Sequence, residues 1–136
     1  MCWWRRKQTS PRGTGAAALG AQGIGGPLHQ TLGHFSGAGT TEAEFDRARE
    51  VHTKVGDHAQ ANGQVIALEA VNRFESYFAN TMDDLCAYPH SLNHPAIKTM
   101  YDTFHANLEE RDPVAAYTRN AGDVVHIHIS ENDRGV

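Results

Sequence analysis

Three short apolar runs in the second half of the chain each end abruptly in charged residues or histidines. They are ALEAVNRFE (67–75), YDTFH (101–105) and HIHISENDRG (126–135). The runs recur at intervals of about 30 residues, the length that a strand with its crossover helix requires. In a β/α barrel, polar groups at the same end of successive parallel strands build the active site. The pattern therefore predicts parallel strands and a polar cluster at one end of the sheet.

Apolar residues at helical spacing precede and separate these runs. Thr41 and Glu44 fit a capping box at the start of a helix, and Gly63 fits the position just after its end. Gly56 lies inside this helix and costs about 1 kcal/mol relative to alanine, so we expect it to permit close packing. Two further helices are predicted, over residues 78–88 with Pro89 ending the first, and from Asp112-Pro113 to Gly122.

Short apolar segments predict strands over residues 65–68, 97–101 and 124–129. Helices alternating with strands favour an α/β fold of parallel βα units. Residues 1–24 show no period, so we expect an irregular or disordered N-terminal segment, with a damaged strand over residues 16–24 as the alternative. Residues 25–136 are expected to form the folded domain, which opens with a long loop.

Composition narrows the classes of partner. The chain has 136 residues, with 12 Lys+Arg against 16 Asp+Glu and a net charge of −4, which argues against nucleic-acid or anionic-membrane partners. Cys2 and Cys86 match no metal-binding spacing, and no run approaches the roughly 18 apolar residues of a membrane helix. We expect a cytoplasmic protein. Four of the nine histidines are expected to be solvated: His52, His58, His90 and His94.

The third run places two histidines on one strand face. Side chains alternate along a strand, so His126 and His128 share the face that would point into a barrel. The other face, formed by Val125, Ile127 and Ile129, is expected to pack under helices. His128 lies nearer the end of the strand where ligands bind. We expect His126, one layer deeper, to be a hydrogen-bonded core residue.

Glu69, Asp102 and His128 would meet if their strands are neighbours. Two carboxylates and an imidazole suit Mn²⁺, Mg²⁺ or Co²⁺, whereas a buried carboxylate pair without a cation is costly. The sequence therefore predicts either a divalent-metal site or strands that are not adjacent.

Three further polar residues follow the strand ends. Glu75, His105 and Arg134 could bind substrate hydroxyls, and Arg134 could hold an oxyanion. The alternative for ENDRG is a solvated turn. For NLEERD (107–112) we expect a charged loop that leads into a helix.

Four blocks resemble consecutive segments of a known family: GPLHQTLGHFSG, ALEAVNRFESYFANT, MYDTFHANLEERDP and HIHISENDRG. They are similar to the sugar phosphate isomerase/epimerase family of xylose isomerase-like TIM barrels, of the D-tagatose/D-psicose 3-epimerase type. The resemblance covers about residues 25–136. It implies a partial (β/α)8 barrel, from about strand four or five to strand seven.

The resemblance also implies roles for individual residues. Glu69, Asp102 and His128 match metal ligands, and Glu69 also matches one of two catalytic carboxylates. Substrate-contacting positions match Glu75, His105 and Arg134. The implied cofactor is a divalent ion, Mn²⁺ in first place and Mg²⁺ or Co²⁺ otherwise. The implied reaction is the isomerisation or epimerisation of a ketose, by proton transfer through an enediolate.

The chain departs from the family pattern, because the fourth ligand and second catalytic glutamate would come from an eighth strand. We therefore expect an incomplete fragment that binds metal weakly and has no epimerase activity alone. The expected partner is a small sugar or sugar phosphate, and a homo-oligomer is compatible with the sequence. Alternatives are hydroxypyruvate isomerase, inosose dehydratase or endonuclease IV-like chemistry on the same barrel, or a fragment that is non-functional or depends on assembly with another chain.

Overall fold

The computed structural model describes the backbone of residues 2–5 and all of residues 15–131. In this part of the chain, five strands form one sheet in the order of the sequence: β1 (Cys2–Arg5), β2 (Ala21–Gly26), β3 (Val65–Glu69), β4 (Ile97–Asp102) and β5 (Val124–His128). The helices are α1 (Gly15–Ala18), α2 (Glu42–Ala61), α3 (Met82–Leu92), α4 (Thr103–Glu109) and α5 (Pro113–Asn120). Strands β2 to β5 are parallel to one another, whereas β1 pairs antiparallel with β2. The predicted parallel βα units are confirmed.

The expectation of irregular structure over residues 1–24 is corrected at β1, at α1 and at the start of β2. The alternative, a damaged strand over residues 16–24, is partly confirmed, because β2 begins at Ala21. Glycine occupies three of the six positions of β2 and has low strand propensity, which explains why the sequence signal is weak. Pairing with β1 on one side and β3 on the other supplies the hydrogen bonds that hold it. The boundary expected after residue 24 therefore falls inside a strand.

Helix α2 begins and ends where its capping residues predict. The Thr41 hydroxyl accepts a hydrogen bond from the Glu44 amide, and the Glu44 carboxylate accepts one from the Thr41 amide at 2.7 Å. Gly63 follows the helix with a φ of +65°. A Cβ on Gly56 would lie 2.6 Å from Cε1 of His94, which confirms the predicted close packing.

Two expectations about helix α3 and its surroundings are wrong. Pro89 does not end α3, which continues to Leu92 and is closed by Asn93 in the left-handed conformation. Proline removes a backbone donor and crowds the carbonyl four residues earlier; helix α3 tolerates both, with Pro89 buried in the core. His52 is buried rather than solvated, because its two ring nitrogens contact the hydroxyl of Tyr88 and the carbonyl of Leu28.

The core lies between the sheet and the helices on its outer face. Its largest fully buried side chains include Leu68, Leu85 and Ile97, each contributing roughly 1.5–3 kcal/mol by burial. Their burial packs β3 and β4 against the helices and so positions the ends of these two strands. Within the described residues, no helix is both long enough and apolar enough to cross a membrane.

The outer face of β5 is more exposed than the sequence predicts. Val125 and Ile127 are 41% and 39% exposed, and Ile129 beyond the strand is 82% exposed. Because they are this exposed, these side chains do not pack under helices as expected. Helix α3 packs against β4 and α5 instead. The opposite face carries His126 and His128, both half-buried.

Candidate functional site

Glu69, Asp102 and His128 are the last residues of three consecutive parallel strands. Nδ1 of His128 lies 3.1 Å from Oε1 of Glu69 and 3.4 Å from Oδ2 of Asp102. Asp102 pairs in register with His128. The three side chains that the sequence predicts as a cluster therefore meet at one point above the ends of β3, β4 and β5.

Helix α4 orients the Asp102 carboxylate. Its Oδ1 accepts hydrogen bonds from the backbone amides of Phe104 at 2.8 Å and His105 at 3.3 Å, so Asp102 is the N-cap of α4. The second oxygen, Oδ2, faces His128. One carboxylate thus begins the helix and presents its other oxygen to the cluster.

Burial and a neighbouring carboxylate make Glu69 hard to ionise. Glu69 is only 5% exposed. Burial raises the pKa of its carboxyl group to about 7, contact with Asp102 adds to this rise, and His128 opposes it. The pKa of His126, whose ring centroid lies 5.2 Å from that of His128, is lowered by burial and by that second imidazole.

The donor set at this point fits a hard or borderline divalent cation. Carboxylate oxygens of Glu69 and Asp102 and a ring nitrogen of His105 lie within 4.8 Å of one another, and His128 contacts both carboxylates. Oxygen and imidazole ligands without a thiolate suit Mn²⁺, Mg²⁺ or Co²⁺. A cation here would also offset the repulsion between two buried carboxylates.

Of the three expected substrate-contacting residues, His105 lies beside this cluster, and Glu75 is linked to His105 through a shared neighbour, Asn72. Nδ1 of His105 accepts a hydrogen bond from the backbone N–H of Asn72 at 3.1 Å. The side-chain Nδ2 of Asn72 lies 2.9 Å from the same nitrogen. Asn72 Nδ2 also donates to Oε1 of Glu75 at 3.0 Å. The third expected residue, Arg134, lies outside the described residues.

Sequence reasoning missed both Asn72 and an ion pair between the loop after β3 and helix α4. Arg73 binds Glu109 through its guanidinium at 2.8 to 3.1 Å and through its backbone amide at 2.8 Å. Glu109 lies in the last turn of α4, and its side chain is 3% exposed. The expected charged loop at NLEERD is helical up to Glu109, and Arg73 pairs with the glutamate at its end. No local pattern signals this pair or the contacts of Asn72.

A histidine with buried ring nitrogens, His29, lies away from the strand ends. Both ring nitrogens of His29 are buried, and among the described residues neither has a hydrogen-bond partner. Burial lowers the pKa of His29 to about 4, with a smaller contribution from His52. His29 borders a cavity of about 290 Å³ that Glu44, Arg47 and Tyr77 also line. This cavity includes none of the clustered carboxylates, so it does not mark the candidate site.

Comparison with known proteins relates the chain to carbohydrate-converting enzymes. The family model described as xylose isomerase-like TIM barrel matches residues 16–136. D-psicose 3-epimerase of Ruminiclostridium cellulolyticum is 35% identical over 96 residues, which are 70% of this chain and 32% of that enzyme. The chain thus spans about a third of the length of this curated relative.

Solved structures agree with this relationship. A structure of L-ribulose 3-epimerase is 34% identical and matches with a TM-score of 0.82, over 88% of this chain and 40% of that one. D-allulose 3-epimerase from Methylomonas sp. in complex with D-allulose matches with a TM-score of 0.82 at 27% identity, over 88% of this chain and 41% of that one. The four parallel strands and their helices form a partial TIM barrel.

Proposed function

Because the chain belongs to the xylose isomerase-like TIM barrel family, we propose that it carries part of the active site of a divalent-metal-dependent ketose 3-epimerase. The observation that carries this proposal is the convergence of Glu69, Asp102 and His128 at the ends of three parallel strands. Similarity to D-psicose and L-ribulose 3-epimerases supports the choice of reaction.

Glu69, Asp102 and His128 would hold the cation. We infer Mn²⁺ in first place and Mg²⁺ or Co²⁺ otherwise, since the donors are two carboxylates and one imidazole. A bound divalent ion supplies Lewis-acid polarisation of a ketose carbonyl. Nδ1 of His128, the atom that faces both carboxylates, is the nitrogen available for this role.

Glu69 is the proposed base that moves the proton on the carbon beside the carbonyl. Removal of that proton gives an enediolate, and its return to the opposite face inverts the carbon. Glu69 thus combines the roles of ligand and base.

The substrate class is a ketose, either free or phosphorylated. One relative is an L-ribulose 3-epimerase, and one solved structure holds D-allulose. We propose that His105 and Glu75 orient the sugar hydroxyls and that Arg134 contributes to the same task. A cytoplasmic location, a homo-oligomer and a lack of turnover by the 136-residue chain alone stay predictions from the sequence.

Proton exchange tests the role of Glu69 separately from complete epimerisation. The purified chain is incubated with Mn²⁺ and D-fructose in D₂O, and loss of the C3 proton signal is followed by NMR. A single base suffices to remove this proton and to return a deuteron to the same face. We expect Glu69→Gln to abolish the exchange and the control Glu50→Gln, an exposed residue of α2 paired with Lys54, to preserve it.

Exchange that persists in Glu69→Gln would assign the base to another residue. A chain that binds Mn²⁺ without catalysing any exchange would refute the proposed role of Glu69. Accumulation of D-psicose would contradict the prediction that this chain alone lacks epimerase turnover.

A further inference from the structure

Asn72 is buried where the loop after β3 meets helix α4, and its hydrogen bonds connect two residues of the candidate site. We propose that Asn72 is a positioning residue, which fixes the tautomer of His105 with its hydrogen on Nε2 and couples that ring to Glu75. The tautomer follows from the described contacts alone. Its use in binding a ketose rests on the proposed function.

The orientation of the Asn72 amide is determined by a backbone donor. The N–H of Phe74 donates to Oδ1 of Asn72 at 3.0 Å, and a backbone N–H requires an acceptor. The oxygen of the amide therefore faces Phe74, and the NH₂ group faces the other way. Its two hydrogens are directed at Nδ1 of His105, 2.9 Å away, and at Oε1 of Glu75, 3.0 Å away.

The backbone N–H of Asn72 determines the His105 tautomer, and the side-chain NH₂ group supports the same assignment. Nδ1 of His105 receives the Asn72 backbone N–H at 3.1 Å as well as the side-chain N–H. A nitrogen that accepts two donors carries no hydrogen of its own. In a neutral imidazole one nitrogen is the donor and the other the acceptor, so the hydrogen of His105 resides on Nε2.

This tautomer separates the functions of two histidines near the same carboxylates. A protonated ring nitrogen cannot bind a cation, and Nδ1 of His105 is occupied by Asn72. His105 is therefore a hydrogen-bond donor rather than a metal ligand, although it lies close to Glu69 and Asp102. The imidazole for a cation is that of His128, as proposed above.

The link to Glu75 gives the tautomer a use in substrate binding. The carbonyl of Asn72 also accepts the backbone N–H of Glu75 at 3.0 Å, so Asn72 holds both the main chain and the side chain of Glu75. Nε2–H of His105 is a donor and the Glu75 carboxylate is an acceptor. A sugar hydroxyl both donates and accepts, so both groups have the chemistry to bind hydroxyls of a ketose.

Nitrogen NMR of the imidazole tests the tautomer without any catalytic assay. In the ¹⁵N-labelled chain, we expect Nδ1 of His105 at the shift of an unprotonated nitrogen and Nε2 at that of a protonated one. Asn72→Ala removes the side-chain donor but keeps the backbone N–H, so Nδ1 should stay unprotonated and its shift should move further from that of Nε2. Asn72→Asp keeps the shape of the side chain but replaces the donor by an acceptor, so Nδ1 should become protonated.

Asn80→Ala is the matched control. Asn80 donates to the carbonyls of Val71 at 2.6 Å and Ser76 at 3.0 Å, so it holds the same loop without contacting His105 through any of these bonds. We expect it to leave the His105 shifts unchanged. A wild-type ring protonated on Nδ1, unchanged shifts in both Asn72 variants, or an equal effect of Asn80→Ala would each overturn the proposal. The exchange assay with D-fructose reports on the proposed function independently.

Discussion

His128 lies 3.1 Å from Glu69 through Nδ1 and Oε1, although 59 residues separate them in sequence and β4 lies between their strands. Adjacent strands are about 4.8 Å apart, so the backbones of β3 and β5 would be roughly 10 Å apart in a flat sheet. The two side chains meet because both lean over the end of β4. Asp102 at that end completes the cluster, so the contact brings the ends of three strands to one point.

Removing either partner of this contact should weaken metal binding. In a calorimetric Mn²⁺ titration, we expect His128→Ala and Glu69→Gln each to reduce affinity by at least about tenfold, since each removes a proposed ligand. His126→Ala is the matched control, because His126 lies on the same face of β5 but one layer deeper. Equal weakening by His126→Ala, or no weakening by the other two, would reject the assigned ligands.

Glu69 should destabilise the metal-free chain at neutral and alkaline pH. Its pKa is raised from 4.5 to about 7 in the folded state, so folding favours its protonated form. The contribution to stability is present below the unfolded pKa and is lost as the pH rises through the folded pKa. In EDTA at pH 8, Glu69→Gln should therefore increase the free energy of unfolding, on the order of 1–3 kcal/mol.

Urea denaturation with and without metal checks this effect. Mn²⁺ should stabilise the wild type more than Glu69→Gln, because only binding to the folded state adds stability. Glu50→Gln serves as the surface control and should change little under either condition. A loss of stability in Glu69→Gln at pH 8 in EDTA would show that the contact with His128 outweighs burial and repulsion.

His29 should make the fold sensitive to acid. Burial lowers its pKa from 6.5 to about 4, so the unfolded chain binds a proton at a pH where the folded chain does not. Stability is complete above the unfolded pKa and is lost as the pH falls towards the folded pKa. Between pH 7 and pH 4.5, the wild type should lose about 1–2 kcal/mol of its free energy of unfolding through His29. We expect His29→Phe not to show this part of the loss.

The His29 replacement also removes two buried nitrogens that have no partner among the described residues. Phenylalanine preserves the ring packing against Phe78, whose centroid lies 5.1 Å from that of His29. Denaturation midpoints of wild type, His29→Phe and the exposed control His58→Phe, compared at pH 7 and 4.5, provide the measurement. The same acid sensitivity in wild type and His29→Phe would assign it to other groups, such as His52.

Local patterns in the sequence predict the strand ends but not the contacts between the loop after β3 and helix α4. Glu69, Asp102 and His128 could be placed because strand periodicity and βα spacing fix which residues end each strand. Their convergence requires only that β3, β4 and β5 be neighbours. The ligand cluster therefore follows from the same pattern as the fold.

The features that sequence reasoning missed depend on partners distant in the chain. Asn72 contacts His105 across 33 residues, and Arg73 contacts Glu109 across 36. His52 can be buried because its Nδ1 forms a hydrogen bond with the hydroxyl of Tyr88, also 36 residues away. Each side chain looks solvated when judged by its neighbours in sequence. Only the packed fold supplies the group that compensates for its burial.

Gly56→Ala should destabilise the chain even though the substitution usually favours a helix. Alanine gains up to about 1 kcal/mol over glycine inside a helix. Here the added Cβ would lie 2.6 Å from Cε1 and 2.7 Å from Nδ1 of His94. His94 is held by Asp57 at 3.2 Å and by the amide of Ala96 at 3.2 Å, so relieving the overlap breaks those bonds. We expect a net loss of about 1–3 kcal/mol.

A double-mutant cycle separates this overlap from helix propensity. His94→Ala removes the ring, so Gly56→Ala added to it should recover the ordinary helical gain and become neutral or stabilising. The coupling energy between the two positions, measured by urea denaturation of all four proteins, should then favour the double variant by more than about 1 kcal/mol. Additive effects would show that His94 moves aside without cost, and Gly56 would then have no packing role in α2.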